Sequence, residues 1–272
     1  MSPQYATASD RLREFLAVGW TRFGPDPDLL DWIRHALPHA REAVADSGNA
    51  NWLRCAGTWF VGANVLANDH QGRIGDSGPL CGEAVSFLRR HCDTPPFHWD
   101  RAQISVCYPG YPKSSPSESE SSYRYRLHRD AAHVDGLHAE GPNRRRRLRE
   151  RHAFVLGIPM TEFSCDAAPP VVWKSSHELV RSAFRELFSH TPHEKWPEVD
   201  VTDRYQALRR QIFERCPRQE IRIRPGECFL IHRLALHGIA PWGDGASAGP
   251  DGRMICYFRP GLCEPLDWLH AP

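Results

Sequence analysis

From about Phe97 onward the chain breaks into short apolar runs separated by turn residues, and that punctuation restricts it to a sheet-based fold. Gln103-Ile104-Ser105-Val106-Cys107-Tyr108 stops at Pro109-Gly110-Tyr111-Pro112, and His152 to Met160 and Val171-Val172-Trp173 are further strand-like runs. Ile221-Arg222-Ile223-Arg224 alternates and meets a turn at Pro225-Gly226-Glu227, after which Cys228-Phe229-Leu230-Ile231-His232 reads as a buried strand. A glycine-rich connection from Gly243 to Gly252 leads into a last strand, Arg253-Met254-Ile255-Cys256-Tyr257-Phe258. Strands this short, interrupted by long insertions, predict a mainly β fold with flanking helices, a jelly roll. Leu179 to Phe188 and Tyr205 to Glu214 read as helices, the second from the spacing of Tyr205, Leu208 and Ile212.

The region before Phe97 reads differently. Ser9 and Asp10 are placed to cap a helix with Leu12, Phe15 and Leu16 on one side. A second helix opens near Pro27-Asp28 and carries the stripe Leu29, Trp32, Ile33, Ala36 and Leu37. Glu83 to His91 suits a short helix, while Thr58-Trp59-Phe60-Val61 is more strand-like. The expected organisation is one domain over 1–272. Residues 1–95 form a mainly helical support region, and 96–272 form the jelly-roll core with a helical insertion around 177–215.

Composition excludes several classes. A formal net charge of +1 in 272 residues leaves no electrostatic footprint for nucleic acid or an acidic membrane. No apolar run is long enough to span a bilayer, and Met1-Ser2-Pro3-Gln4-Tyr5 lacks the pattern of a secretory leader. The 9 cysteines show no Cys-x-x-Cys spacing, so reduced thiols in a cytoplasmic protein are expected, as monomer or homodimer.

The chemistry concentrates at His133-Val134-Asp135, with His237 and then Arg253 far downstream. A metal that must take both a co-substrate and dioxygen can accept only three protein ligands. The 2-His-1-carboxylate set supplies them on one face and leaves the others open. In a strand, residues i and i+2 share a face, so His133 and Asp135 can converge while Val134 points away.

Four segments extend the pattern: Asp130-Ala131-Ala132-His133-Val134-Asp135-Gly136; Val172-Trp173-Lys174-Ser175-Ser176-His177; Pro225 to His232 running into Leu236-His237-Gly238; and Arg253 with its strand. In this order they resemble the phytanoyl-CoA dioxygenase-like branch of the iron(II)/2-oxoglutarate oxygenases. Ser175 stands where that family usually has glycine. The resemblance implies a double-stranded β-helix (cupin-like), with Fe(II) on His133, Asp135 and His237. Arg253 would pair with the distal carboxylate of the co-substrate 2-oxoglutarate. It implies consumption of O2, release of succinate and carbon dioxide, and oxidation, usually hydroxylation, of a small-molecule substrate. The separation between His237 and Arg253 is longer than usual, and Arg259 is a second candidate for the co-substrate arginine.

Other assignments compete. His128-Arg129-Asp130 is a second His-x-Asp, although Arg124 to Arg129 reads as a polar approach strand. His232 competes with His237, its plain reading being a buried strand histidine bonded to backbone. Tyr108, Tyr111 and Trp242 flank loops at the expected barrel mouth and are substrate-pocket candidates, whereas Trp173 reads as core. His91, His98, His138, His190, His193 and His270 have no partner pattern. Arg144 to Arg147, Arg149 and Arg151 either form a solvated helix face or bind phosphate or coenzyme A. Lys113 to Ser122 is a polar loop, placed to close over the site. Two rival functions stay open: a cupin-like metal-dependent isomerase or hydrolase, and a non-catalytic jelly-roll ligand-binding protein.

Overall fold

Seven strands pair antiparallel into one large sheet whose two faces do different work. The computed structural model describes residues 8–92, 97–116 and 118–271. Met1 to Tyr5, read as lacking a secretory leader pattern, and Ser117 within the polar loop lie outside the described residues. Across the large sheet the order is β1 (Trp20–Phe23), β10 (Cys228–His232), β7 (Phe154–Pro159), β12 (Arg253–Phe258), β4 (Gln103–Cys107), β3 (Trp59–Gly62) and β2 (Leu53–Arg54). A smaller sheet runs β11 (His237–Ile239), β8 (Pro170–Trp173), β9 (Arg218–Glu220), and β5 (Leu137–Glu140) pairs with β6 (Arg145–Leu148) as a hairpin.

The register divides each strand of the large sheet between its faces. Ile104 and Val106 of β4, Met254, Cys256 and Phe258 of β12, and Cys228 and Leu230 of β10 share one apolar cluster with the N-terminal helices. Those helices are α1 (Ala8–Val18), α2 (Pro27–Ala45) and α3 (Glu83–His91). Asp26 caps α2 by accepting from the Asp28 N–H, and Pro27 sits at its first position, where a missing N–H costs nothing. Its buried stripe of Leu29, Trp32, Ile33 and Ala36 lies against the sheet, with Trp32 5.9 Å from the Phe258 ring. Side chains this large contribute about 1.5–3 kcal/mol each on burial, so this face anchors the sheet.

The opposite face presents Gln103, Ser105 and Cys107 from β4 and Arg253, Ile255 and Tyr257 from β12, held in register by the Arg253–Cys107 and Tyr257–Gln103 pairs. Polar groups on an inward face are costly unless they are used. Val172 of the smaller sheet packs with Val155, Phe229, Ile231 and Ile255 of the larger, so the two sheets enclose that face between them. α5 (Ser176–Phe188) and α6 (Thr202–Arg215) form a second apolar cluster with Trp173 and the terminal α7 (Asp267–His270).

Several expectations need correction. Besides its helices and the strand read near Thr58 to Val61, which is β3, the mainly helical region also supplies β1 and β2, and β1 pairs with β10. Arg124 to Arg129 is not a strand: α4 (Glu120–His128) covers it, and also takes the end of the polar loop. The arginine run is not a helix but the strand β6, because Gly141 to Arg144 turn the chain back on β5. Ile221 and Ile223 are buried as the alternation requires, yet the paired strand is β9, just before them. On α1, Phe15 is buried but Leu16 is exposed. Among the described residues no helix is long and apolar enough to cross a membrane.

Candidate metal centre

His133 and His237 lie far apart in sequence but form an antiparallel bridge: His133 N–H donates to His237 C=O (2.8 Å), and His237 N–H to His133 C=O (3.0 Å). His133 is therefore not within the regular strand expected for it; its segment meets β11 through this bridge. Gly238 makes the approach possible. A Cβ there would lie 2.1 Å from the Asp130 carbonyl oxygen, which instead accepts from Ile239 N–H at 2.9 Å. The local alternation still holds, since Val134 is buried in the helical cluster while His133 and Asp135 face each other. Gly136 follows at φ +81°, with Glu150 C=O where a Cβ would stand, so the turn after Asp135 requires glycine.

One donor atom from each of His133, Asp135 and His237 lies within 4.8 Å of the others. Nε2 of His133 is 3.2 Å from Asp135 Oδ1, and Nε2 of His237 is 3.7 Å from Oδ2. Both rings are oriented alike: His133 Nδ1 lies 3.0 Å from Ala131 C=O and His237 Nδ1 2.9 Å from Ala235 C=O. A carbonyl only accepts, so each Nδ1 carries a hydrogen and Nε2 is the nitrogen that each ring turns towards the carboxylate. Two imidazole nitrogens and a carboxylate aimed at one point need a proton or a metal cation between them. Burial lowers the His237 pKa to about 4, against the opposing pull of Asp135, so the ring is neutral at physiological pH. Burial alone would raise the Asp135 pKa, but opposing charge, that of Arg259 first, holds it well below the ordinary carboxylate value. Arg259 Nη1 is 3.7 Å from Asp135 Oδ2.

The triad opens on a cavity of about 190 Å³ between the sheets, lined also by Trp59, Val61, Gln103, Ile231, Tyr257 and Arg259. Sequence reasoning missed Trp59, Val61, Gln103 and Ile231. The signal was available for Gln103, which opens the polar alternation Gln103, Ser105, Cys107.

Arg253 lies on the same inner face, fully buried, and does not line that cavity. Its Nη2 donates to Cys107 Sγ at 3.0 Å, while Nε and Nη1 have no acceptor among the described residues. Burial pushes the Cys107 thiol up to about 11, so it offers no negative charge. Burial likewise pushes Tyr257 up to about 12, partly offset by the Arg253 guanidinium. A buried cation without a counter-ion costs several kcal/mol, which marks an anion site.

The competing residues are placed elsewhere. Asp130 is gripped by Arg218 through Nε–Oδ2 (2.7 Å) and Nη2–Oδ1 (3.0 Å), and His128 is exposed at the end of α4. His232 is buried, with Nδ1 accepting from Leu234 N–H at 3.0 Å. None of Tyr108, Tyr111 and Trp242 lines the cavity. Tyr108 packs with the outer cluster, while Tyr111 and Trp242 pack around Cys55 and Cys107. Ser175 adopts φ +61°, which explains why glycine is usual at that turn.

Neither a protein-family model nor a curated protein matches the chain. Solved structures do. SnoK, a non-heme alpha ketoglutarate dependent carbocyclase from nogalamycin biosynthesis, superposes with a TM-score of 0.55 at 14% identity, over 94% of this chain and 86% of that one. The epimerase SnoN, in complex with Fe3+, alpha ketoglutarate and nogalamycin RO, gives 0.51 at 14% identity, over 93% and 83%. The chain has the fold of these enzymes. The jelly-roll expectation is met at that level, with antiparallel sheets flanked by helices.

Proposed function

We propose that the chain is an iron(II)- and 2-oxoglutarate-dependent oxygenase acting on a small organic substrate in the cytoplasm. The observation that carries this is the convergence of two imidazole nitrogens and one carboxylate within 4.8 Å, each ring held by its Nδ1 bond to a carbonyl. Imidazole nitrogens with a single carboxylate on one face suit non-haem iron and leave positions open for co-substrate and dioxygen.

His133, Asp135 and His237 would hold the iron. Arg253 would bind the distal carboxylate of 2-oxoglutarate, because its buried Nε and Nη1 lack acceptors. Arg259 is the poorer choice, since Asp135 already occupies its charge. A guanidinium meets a carboxylate with two parallel charge-assisted hydrogen bonds, a geometry lysine lacks. Bound iron and 2-oxoglutarate supply the activation of dioxygen, with succinate and carbon dioxide as co-products. The chain's own part is positional: the Nδ1–H bonds to Ala131 and Ala235 fix the imidazoles. Arg259 steadies Asp135, and the apolar walls from Val61, Val155 and Ile231 keep water from the reacting centre.

The test is an anaerobic titration of Fe(II) and 2-oxoglutarate, read by the weak visible charge-transfer band, followed by succinate formation in air. The band and succinate are expected. Iron binding with no 2-oxoglutarate consumption would instead indicate the isomerase or hydrolase reading. Ligand binding without turnover would indicate a binding protein.

A further inference from the structure

A second cavity, of about 540 Å³, shares His133 with the first. Its walls carry Arg126, Arg144, Arg145, Arg146 and Arg209 and no carboxylate. Two of these charges are neutralised from outside the cavity, Arg126 by Glu118 and Arg145 by Asp200 and Asp203. Arg144, Arg146 and Arg209 have no carboxylate partner among the described residues. Arg146 Nη1 donates only to the Leu137 carbonyl at 2.7 Å, and Arg209 Nη1 to Tyr125 Oη at 2.7 Å, while Arg209 Nε is buried without an acceptor. Burial, reinforced by the nearby charges of Arg209 and Arg144, lowers the pKa of Arg146.

The arginines are tied to the metal centre by the rings beneath them. The Arg209 guanidinium lies 4.9 Å from the centroids of both Tyr125 and Tyr205, and Arg146 lies 5.7 Å from Tyr205. Tyr125 Oη donates to the Ala132 carbonyl at 2.7 Å, and Tyr205 Oη accepts from Val134 N–H at 2.8 Å. The two rings that carry the cations therefore hold the peptide on either side of His133. An anion seated on Arg146 and Arg209 would rest on the same framework that sets a metal ligand.

We propose that this cleft binds a phosphate group. Resting on the oxygenase reading, it takes the anionic end of the substrate while the oxidisable end reaches the metal past His133. Three uncompensated guanidinium groups call for more than one negative charge. A phosphate carries about −1.5 to −2 near neutral pH with three acceptor oxygens, whereas a carboxylate satisfies a single guanidinium.

The experiment titrates inorganic pyrophosphate into iron-free protein by calorimetry at low ionic strength, with citrate as the carboxylate probe. Saturable, salt-sensitive pyrophosphate binding is expected, weakened about tenfold in Arg144→Gln and unchanged in Arg34→Gln on α2. Arg209→Gln should weaken it further. That variant also removes the bond to Tyr125, so Arg144→Gln, at the exposed hairpin turn, carries the decision. Absent binding, equal affinity in Arg144→Gln, or citrate binding as tightly as pyrophosphate overturns the proposal. Iron is left out so that the two readings fail separately. Pyrophosphate binding with no iron and 2-oxoglutarate response sinks only the oxygenase, and the reverse result sinks only the phosphate site.

Discussion

Two histidine pairs pack with tilted rings at nearly equal spacing, and one of them has the makings of a metal site. His133 and His237 have ring centroids 4.7 Å apart, and His177 and His232 have theirs 4.8 Å apart. The first pair turns both Nε2 atoms towards a buried carboxylate and borders a cavity. In the second, His177 Nε2 donates to Leu16 C=O at 3.0 Å with the exposed Glu178 carboxylate nearby at 3.4 Å, and Arg181 lies 2.9 Å from His232 Nε2. Proximity of imidazoles is thus a packing outcome. Which nitrogen is turned inward, and the charge it faces, makes a site.

The sharpest way to break this contrast is to remove the carboxylate. Asp135→Ala, like His133→Ala, should abolish iron binding by anaerobic titration. His232→Ala should cost about 2 kcal/mol in denaturant unfolding through its lost packing and backbone bond, yet leave iron stoichiometry intact. Iron loss in His232→Ala would erase the distinction. Next, Gly238→Ala forces a Cβ into the Asp130 carbonyl. It should cost about 3 kcal/mol and reduce iron loading although no ligand is changed.

Arg253→Lys should raise the 2-oxoglutarate Kd about tenfold with iron still bound, because one ammonium cannot copy the planar fork. Equal affinity would move the co-substrate to Arg259. A smaller effect is expected from acid. Burial lowers the His177 pKa below its ordinary value, so the folded state favours the neutral ring. That stability is complete above the ordinary histidine pKa and is lost as pH falls from there through the folded value. His177→Gln, able to keep the bond to Leu16, should flatten the acid side of a melting-temperature profile. Smallest of all, Ser175→Gly relieves a left-handed backbone but loses the Ser175 Oγ bond to Ala17 C=O. The two effects should cancel to within about 1 kcal/mol.

Legibility in the sequence followed the range of the forces involved. β10 and β12 were readable to the residue, since a short, largely apolar run bounded by turn residues is a local signal. The stripe of α2 was readable for the same reason. β6 was not, because a run of arginines looks the same on a helix or a strand, and its pairing with β5 is decided by the turn at Gly141 to Arg144. The choice between the two His-x-Asp pairs needed Arg218, whose grip on Asp130 comes from a distant strand. Tyr111 and Trp242 looked like mouth residues because they adjoin loops, but their apolar area is satisfied around Cys55 and Cys107 instead.

The reciprocal backbone bridge between His133 and His237 has an evolutionary consequence. The bite of the two imidazoles is set by peptide groups bonded to each other, so it does not depend on which residues face the substrate. The arginine hairpin, and α6 apart from Tyr205, can drift in composition and recruit new molecules while the reaction centre stays at a constant gauge.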